Sequence, residues 1–308
     1  RRLRMMGEYE TSGEYEPLYL PQYMKDVAAA SSEFYAQLLL RKEIDVIDFH
    51  HFSSVSAVFE QIVQNLRAGG FYVRHEARSA VRLVLETPPD WPRYLDLLAR
   101  HDRRNREKHE RALFRNGAVL EMIPCAGNEQ AFNDFAQLHT KAMAARSIGG
   151  HFVSKERYGD FLKMVTFGAT DPEMSRWFFL KKGDERFAAL LVFYTQDACC
   201  FYLSGRDPIH ELSRLGPGIV LMNLAIKEAI RRGCRSVDFV EGGTAYKFTM
   251  GAKDLGFGRI SITRRRFTSI VLMTYIVVVV FRQSSLWKEY LEPLDVRWRF
   301  RRLRHHKP

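Results

Sequence analysis

Residues 201–219 read FYLSGRDPIHELSRLGPGI, a stretch that predicts a strand running through a loop into a helix opened by Gly216-Pro217-Gly218. Glycines at a helix N-terminus let the backbone approach an anion closely, and the unpaired N–H groups there bind phosphate. Arg214 could pair with the same phosphate. The candidate anion site is therefore Arg214, Gly216, Gly218 and Ile219, and an ordinary turn punctuated by glycine and proline is the alternative.

Helix and strand patterns alternate on both sides of this stretch. Strands are predicted at 118–123, 176–181, 187–194, 198–204, 236–240 and 259–264, with 187–194 and 198–204 as an antiparallel pair. Helices are predicted at 128–146 with Asn128 as the cap, at 154–167 and at 217–232. This order predicts an α/β (α+β) half built on a mixed sheet.

The N-terminal part repeats the alternation. It predicts helices at 23–40 and 53–66 and strands at 44–49, 71–75 and 80–85, followed by one long basic helix at 91–115. The polar face of that helix is expected to hold seven basic side chains: Arg100, Arg103, Arg104, Arg106, Lys108, Arg111 and Arg115. The predicted boundaries are 1–90 for a first domain that lacks N-terminal strands, 91–116 for a helical connector, 117–266 for a second domain and 267–308 for a tail.

Residues 91–265 resemble the GNAT-like acetyltransferases of the Fem type and of cellulose biosynthesis. The resemblance is carried by the order of several segments: Trp91–Leu95, Arg103–Arg115, Leu138-His139, Tyr202–Gly205 with Asp207-Pro208, Gly216–Gly218, and Val237–Gly242 with Tyr246-Lys247. It implies two GNAT-like domains with mixed, mostly antiparallel sheets flanked by helices. Glu241, Gly243, Thr244 and Gly216 depart from the family pattern, which leaves substrate specificity open.

The resemblance implies acyl transfer from acetyl-CoA or another acyl-CoA to an amine of a small molecule or glycan, in cell-envelope or exopolysaccharide synthesis. The pyrophosphate would bind at the turn before the 217–232 helix. Acyl transfer also needs a base for the amine and a proton donor for the leaving thiolate. Asp238, bracketed by apolar residues, and Glu241 at the strand end are the candidate bases, and Tyr246 is the candidate donor. Tyr202 and Lys247 are candidate substrate contacts, with packing and an exposed lysine as the plainer alternatives.

The net charge indicates the kind of partner, and the cysteine content indicates the compartment. The net charge is +11 and the pI is near 9.5, which favours an anionic partner such as a phosphate-bearing cofactor, a nucleic acid or a membrane surface. A Fem-type enzyme would take its acyl group from aminoacyl-tRNA, and the basic helix 100–115 would then contact RNA. The four cysteines form no CxxC pair, so the sequence predicts neither a disulfide framework nor a metal site. A reducing, cytoplasmic location fits best.

The C-terminal segment admits several interpretations. The apolar run 267–281 is shorter than the ~20 residues of a spanning helix and reads as buried core or as a membrane contact. Basic and aromatic residues follow it, so 264–308 is a candidate surface for an anionic membrane at its inner face. A non-catalytic, membrane-associated protein with this fold is the third hypothesis.

Overall fold

The computed structural model describes residues 2–3, 20–53, 56–147, 152, 157–168, 171–195, 197–241 and 245–264. It is an α+β structure with two mixed, mostly antiparallel sheets. The strands are β1 Arg2–Leu3, β2 Val46–Ser53, β3 Tyr72–Ala80, β4 Arg82–Glu86, β5 Val119–Pro124, β6 Ser175–Lys182, β7 Glu185–Tyr194, β8 Ala198–Arg206, β9 Ser236–Glu241, β10 Lys253–Asp254 and β11 Phe257–Thr263. The helices are α1 Met24–Leu40, α2 Ala57–Ala68, α3 Trp91–Leu97, α4 Arg100–Arg115, α5 Glu129–Ala144, α6 Tyr158–Phe167, α7 Pro217–Arg231 and α8 Ala245–Phe248. The predicted 198–204, 217–232 and 236–240 elements are confirmed to within two residues.

One compact unit combines the described residues up to Ser79 with residues 257–264. Its sheet has the order β1-β2-β11-β3, and α1 and α2 pack together. Alternate residues of β2 and β11, among them Ile47, Phe49, Ile260 and Ile262, enter the hydrophobic core. Their neighbours Asp48, Arg259 and Ser261 lie between them along the strands, where Arg259 and Ser261 donate to the fully buried Asp48 carboxylate.

The second compact unit spans residues 80–256 and contains a seven-stranded sheet in the order β10-β4-β9-β8-β7-β6-β5. Neighbouring strands are antiparallel except β8 and β9, which run parallel. Helix α7 covers β6–β8 with buried apolar residues such as Val220, Leu221 and Ile226. Helix α5 packs on β7 and β8 through Phe132 and Phe135, so the central strands are buried between helices.

Strand pairing crosses the boundaries expected from the sequence. Strand β4 was predicted within 1–90, and it pairs with β9 of the 80–256 unit. Strand β11 was predicted within 117–266, and it pairs antiparallel with β2. Partners about 150–210 residues apart leave no local signal in the sequence, because periodicity reports a strand's faces and not its neighbours.

The long helix predicted at 91–115 is wrong in one respect, because it is two helices. Leu98 and Ala99 have extended ψ angles of 142° and 141°, which end α3 and start α4. The break turns the buried Leu98 into the core beside Tyr94. In a continuous amphipathic helix, the helical period alone would decide which way Leu98 points. The break lets this apolar side chain be buried.

The predicted polar face of this basic segment is also wrong at Arg106. Its guanidinium is buried and donates to Asn223 Oδ1 of α7 at 2.6 Å and to Thr249 Oγ1 at 3.1 Å. Burial lowers the pKa of Arg106. The residue ties α4 to α7, and a single sequence gives no sign which arginine of a basic run turns inward.

The tail 267–308, and with it both interpretations of the apolar run, lies outside the described residues. Among the residues that are described, no helix has the length and hydropathy to cross a membrane.

Candidate functional site

The central feature of the 80–256 unit is a gap between the parallel strands β8 and β9. They pair at Ala198–Ser236, Cys199–Val237 and Cys200–Asp238, after which no further pairing occurs between their described residues. Strand β8 continues to Arg206 beside β7, and β9 continues to Glu241 beside β4. Diverging strands leave backbone N–H and C=O groups of β8 without a strand partner on that edge, which makes the gap a polar cleft.

Helix α7 begins at the rim of this cleft. Gly216 has φ 67° and ψ 46°, a left-handed conformation that favours glycine, and it serves as the N-cap residue before Pro217. A Cβ added to Gly218 would meet no atom within 4 Å, so the first turn is open to a ligand. The amides of a first helical turn lack intrahelical acceptors and carry the positive end of the helix dipole.

Side chains from neighbouring elements hold this turn in place. His109 Nδ1 of α4 donates to the carbonyl oxygen of Leu215 at 2.9 Å. The connecting loop is fixed by the buried Asp207, which accepts from Lys141 Nζ at 2.6 Å and from Ile209 N at 3.0 Å. Burial acts to raise the pKa of Asp207, but Lys141 and the loop amides outweigh it and lower the pKa below its usual value. The turn is thus positioned by α4 and α5 together.

Strand β8 and helix α5 approach each other very closely at Gly205. A Cβ there would lie 2.4 Å from the backbone nitrogen of His139, so only glycine fits. His139 Nδ1 donates to the carbonyl oxygen of Ser204 at 2.8 Å. Burial, together with the Arg146 charge, lowers the pKa of His139, although the bond to Ser204 acts in the opposite direction. The hydrogen bond to Ser204 holds the imidazole against the end of β8.

These elements enclose a pocket of about 220 Å³. Its walls come from the end of α5, the end of β8, the start of α7 and Tyr246 of α8. The lining residues are Ala142, Met143, Arg146, Ser204, Gly205, Arg206, Gly216, Gly218, Ile219, Met222 and Tyr246. The pocket is apolar along Ala142, Met143 and Met222 and cationic at Arg146 and Arg206.

The structure brings together four of the residues predicted from the sequence, namely Gly216, Gly218, Ile219 and Tyr246. Arg214 is exposed on the 3₁₀ turn Glu211–Leu215 and does not line this pocket. The cationic lining residues Arg146 and Arg206 were not predicted. Strand alternation on either side of Gly205 could have identified Arg206, whereas Arg146 reaches the pocket only through the packing of α5.

Asp238 lies below the cleft, and its carboxylate is already engaged. It accepts from Arg82 Nε and Nη2 at 3.1 and 3.0 Å and from the backbone of Val240 at 2.7 Å. Val240 has φ 53°, a strained conformation for a β-branched residue. The Asp238 carboxylate therefore fixes the backbone of β9 immediately before Glu241, whose backbone pairs with Arg82.

The two residues predicted as substrate contacts have internal partners. Lys247 is buried and donates from Nζ to the carbonyl oxygen of Phe239 at 2.8 Å. The Tyr202 hydroxyl accepts from Tyr158 Oη at 3.1 Å, and its ring packs edge-on against Phe193. Neither lines the pocket. Lys247 is thus a buried lysine that ties α8 to β9.

Comparison with known proteins gives a consistent result. Residues 99–248 match a family described as "Acetyltransferase (GNAT) domain". No curated protein matches the chain in sequence.

Solved structures share the fold at low sequence identity. FemX is 11% identical with a TM-score of 0.55, covering 77% of each chain. L-PGS from Bacillus licheniformis is 10% identical with a TM-score of 0.53, covering 83% of this chain and 78% of that one. The C-terminal domain of a protein described as a lysylphosphatidylglycerol synthetase from Agrobacterium fabrum is 11% identical with a TM-score of 0.51, covering 80% and 78%.

Proposed function

We propose that the protein is an N-acyltransferase that uses acetyl-CoA or another acyl-CoA as donor, because residues 99–248 match the acetyltransferase domain of the GNAT superfamily. The observation that carries the proposal is the cleft where β8 leaves β9, with the open first turn of α7 at its rim. A helix start of this kind binds a diphosphate through backbone N–H groups. The edge of β8 beyond Cys200, which has no strand partner among the described residues, is the proposed source of further N–H groups for a polarised carbonyl.

The residues of the cleft have different proposed roles in the proton transfers of the reaction. Tyr246 lines the pocket and is the proposed proton donor for the leaving thiolate. Asp238 accepts three hydrogen bonds from Arg82 and Val240, which suits a positioning role better than proton transfer. Glu241, at the end of β9, is therefore the proposed base that takes the proton from the attacking amine.

The acceptor is proposed on the family resemblance alone. It is an amine on a small molecule or glycan, in cell-envelope or exopolysaccharide synthesis. The resemblance of the N-terminal part to a second GNAT-like domain belongs to the same proposal, as does a contact between residues 264–308 and an anionic membrane.

A thermal-shift titration with acetyl-CoA and longer acyl-CoAs tests the donor. A ligand that binds only the native state stabilises it and so raises its melting temperature. At a ligand concentration a hundredfold above Kd, the added stability is about 2.7 kcal/mol. Gly218→Asp places a carboxylate in open space at the phosphate position, so it should abolish the shift without disturbing the fold. Gly218→Ala is the size control and should retain most of the shift. The absence of a shift with every acyl-CoA in the wild type would rule out this donor.

A second candidate, transfer from aminoacyl-tRNA, is favoured by one surface. Helix α4 exposes Arg104, Lys108, Arg111 and Arg115 along one stripe, and no described carboxylate pairs with them. RNA bound through such a stripe would dissociate steeply with salt. A tRNA affinity that falls by orders of magnitude between ~50 and ~200 mM salt, and that a double Lys108→Gln, Arg111→Gln variant lowers, would support this donor. Affinity that is equal in both proteins would count against it.

A further inference from the structure

The charged side chains that line the pocket are both cationic. Arg146 and Arg206 are the two charged side chains that line the pocket, and both are exposed cations. No described carboxylate forms an ion pair with either of them. Elsewhere in the same unit the basic side chains of Arg82, Lys141, Arg186 and Arg232 each pair with an acidic group.

The acidic residue nearest to Arg206 in sequence already has hydrogen-bond partners. It is Asp207, which directly follows the last residue of β8. Its carboxylate is used by Lys141 and by the amide of Ile209. Lys141 of α5 therefore pairs with Asp207, whereas no described carboxylate pairs with Arg146, which follows the C-terminal end of α5.

None of the other described side chains that line the pocket is acidic. Burial and the Arg146 charge lower the pKa of the nearby His139, which favours the uncharged imidazole and adds no further cation. An unpaired guanidinium at the wall of a half-enclosed pocket binds carboxylates and phosphates bidentately.

We infer that Arg146 and Arg206 form an oxyanion subsite of the cleft that binds a negatively charged group of a substrate, separate from the diphosphate position at the start of α7. This inference rests on the function proposed above, which places donor and acceptor in this cleft. The oxyanion therefore has two candidate sources. It is the 3′-phosphate of coenzyme A or an acid group of the acceptor. The two arginines are then specificity-determining residues, and the substrate class is an anionic one.

The probe is inorganic phosphate, titrated at constant ionic strength against melting temperature. Three states of the full chain are compared: the free protein, the protein saturated with coenzyme A and the protein saturated with dephospho-coenzyme A. The variants are Arg146→Gln and Arg206→Gln. Arg235→Gln is the matched control, since the Arg235 side chain is 80% exposed and faces Asp197 instead of the pocket.

The free wild type and Arg235→Gln should respond to phosphate with a rise of about 2–4 °C, and the two pocket variants should lose most of it. If the group is the 3′-phosphate, coenzyme A saturation abolishes the phosphate response and dephospho-coenzyme A saturation leaves it. Coenzyme A should then bind about tenfold more tightly than dephospho-coenzyme A, and that ratio should fall to about one in the variants. If the group belongs to the acceptor, the phosphate response persists with coenzyme A bound.

A phosphate response that is equal in all four proteins and in all three states would overturn the inference. Failure of coenzyme A to bind the wild type would instead remove the proposed donor, while the response of the free protein would still decide whether the subsite exists. Arg146→Lys and Arg206→Lys should recover part of the response, because they restore the charge without the bidentate geometry.

Discussion

At one end of the β8–β9 pair the strands are hydrogen-bonded and surrounded by thiols, and at the other end they separate and are flanked by arginines. The paired end holds Cys199 and Cys234, both buried, and Cys200, and burial raises the pKa of all three thiols, that of Cys200 to about 12. The open end holds Arg146, Arg206 and the first turn of α7. The same two strands thus supply a largely buried end that carries thiols and a polar cleft, and the place where their pairing stops separates the two.

The largest expected effect is at the open end. Tyr246→Phe removes the proposed proton donor and should lower kcat about 10³-fold, while KM for the donor changes little. Steady-state kinetics with acetyl-CoA and an amine acceptor measure both constants. Unchanged kcat would remove Tyr246 from the chemistry.

Gly205→Ala should have the largest effect on stability. The added methyl would lie 2.4 Å from the His139 backbone nitrogen, and overpacking of this kind costs about 3 kcal/mol. Urea denaturation gives the free energy of unfolding. Gly218→Ala, where the methyl finds open space, is the control and should change stability by less than about 1 kcal/mol. Equal effects at the two glycines would contradict the close approach of α5 and β8.

Asp207→Asn should cost about 2 kcal/mol at neutral pH, because it removes a buried carboxylate that accepts charged and backbone hydrogen bonds. The folded-state pKa of Asp207 is lowered, so its contribution is present above the unfolded pKa of about 3.9 and disappears as pH falls through the lower folded value. The difference in stability between wild type and variant should therefore shrink below about pH 4. A difference that grew in acid would have the wrong sign for this account.

The smallest effect concerns Val240, whose positive φ costs about 1–3 kcal/mol in a β-branched residue. Val240→Gly should relieve this strain and raise the free energy of unfolding by about 1 kcal/mol, less than the full strain because glycine loses more entropy on folding. Val240→Ala is the control and should not stabilise. Destabilisation by glycine would mean that the backbone of β9 does not adopt the left-handed conformation.

Local patterns in the sequence predicted the parts of the site that are made by consecutive residues. Gly216, Gly218 and Tyr246 were found because a helix start and the residues after a strand are local features. Asn128, predicted as the cap of α5, does accept from the amide of Ala131. The sheet elements were located for the same reason.

The features that the sequence did not predict depend on distant partners. Arg82 binds Asp238 across 156 positions, and Arg106 binds Asn223 across 117. The pairing of β11 with β2 is more remote still, since Phe257 lies opposite Ser53. Charge patterns specify which residues are basic but not which of them meet a carboxylate, so the unpaired state of Arg146 and Arg206 follows only from the packing of α5 on β8.

The most direct test of the central claim is an NMR titration of protein labelled with ¹⁵N-glycine. Coenzyme A should shift the amide signals of Gly216 and Gly218 and leave Gly183, in the hairpin turn between β6 and β7, unchanged. Binding of coenzyme A without movement of these two signals would contradict the placement of the donor phosphates at the start of α7.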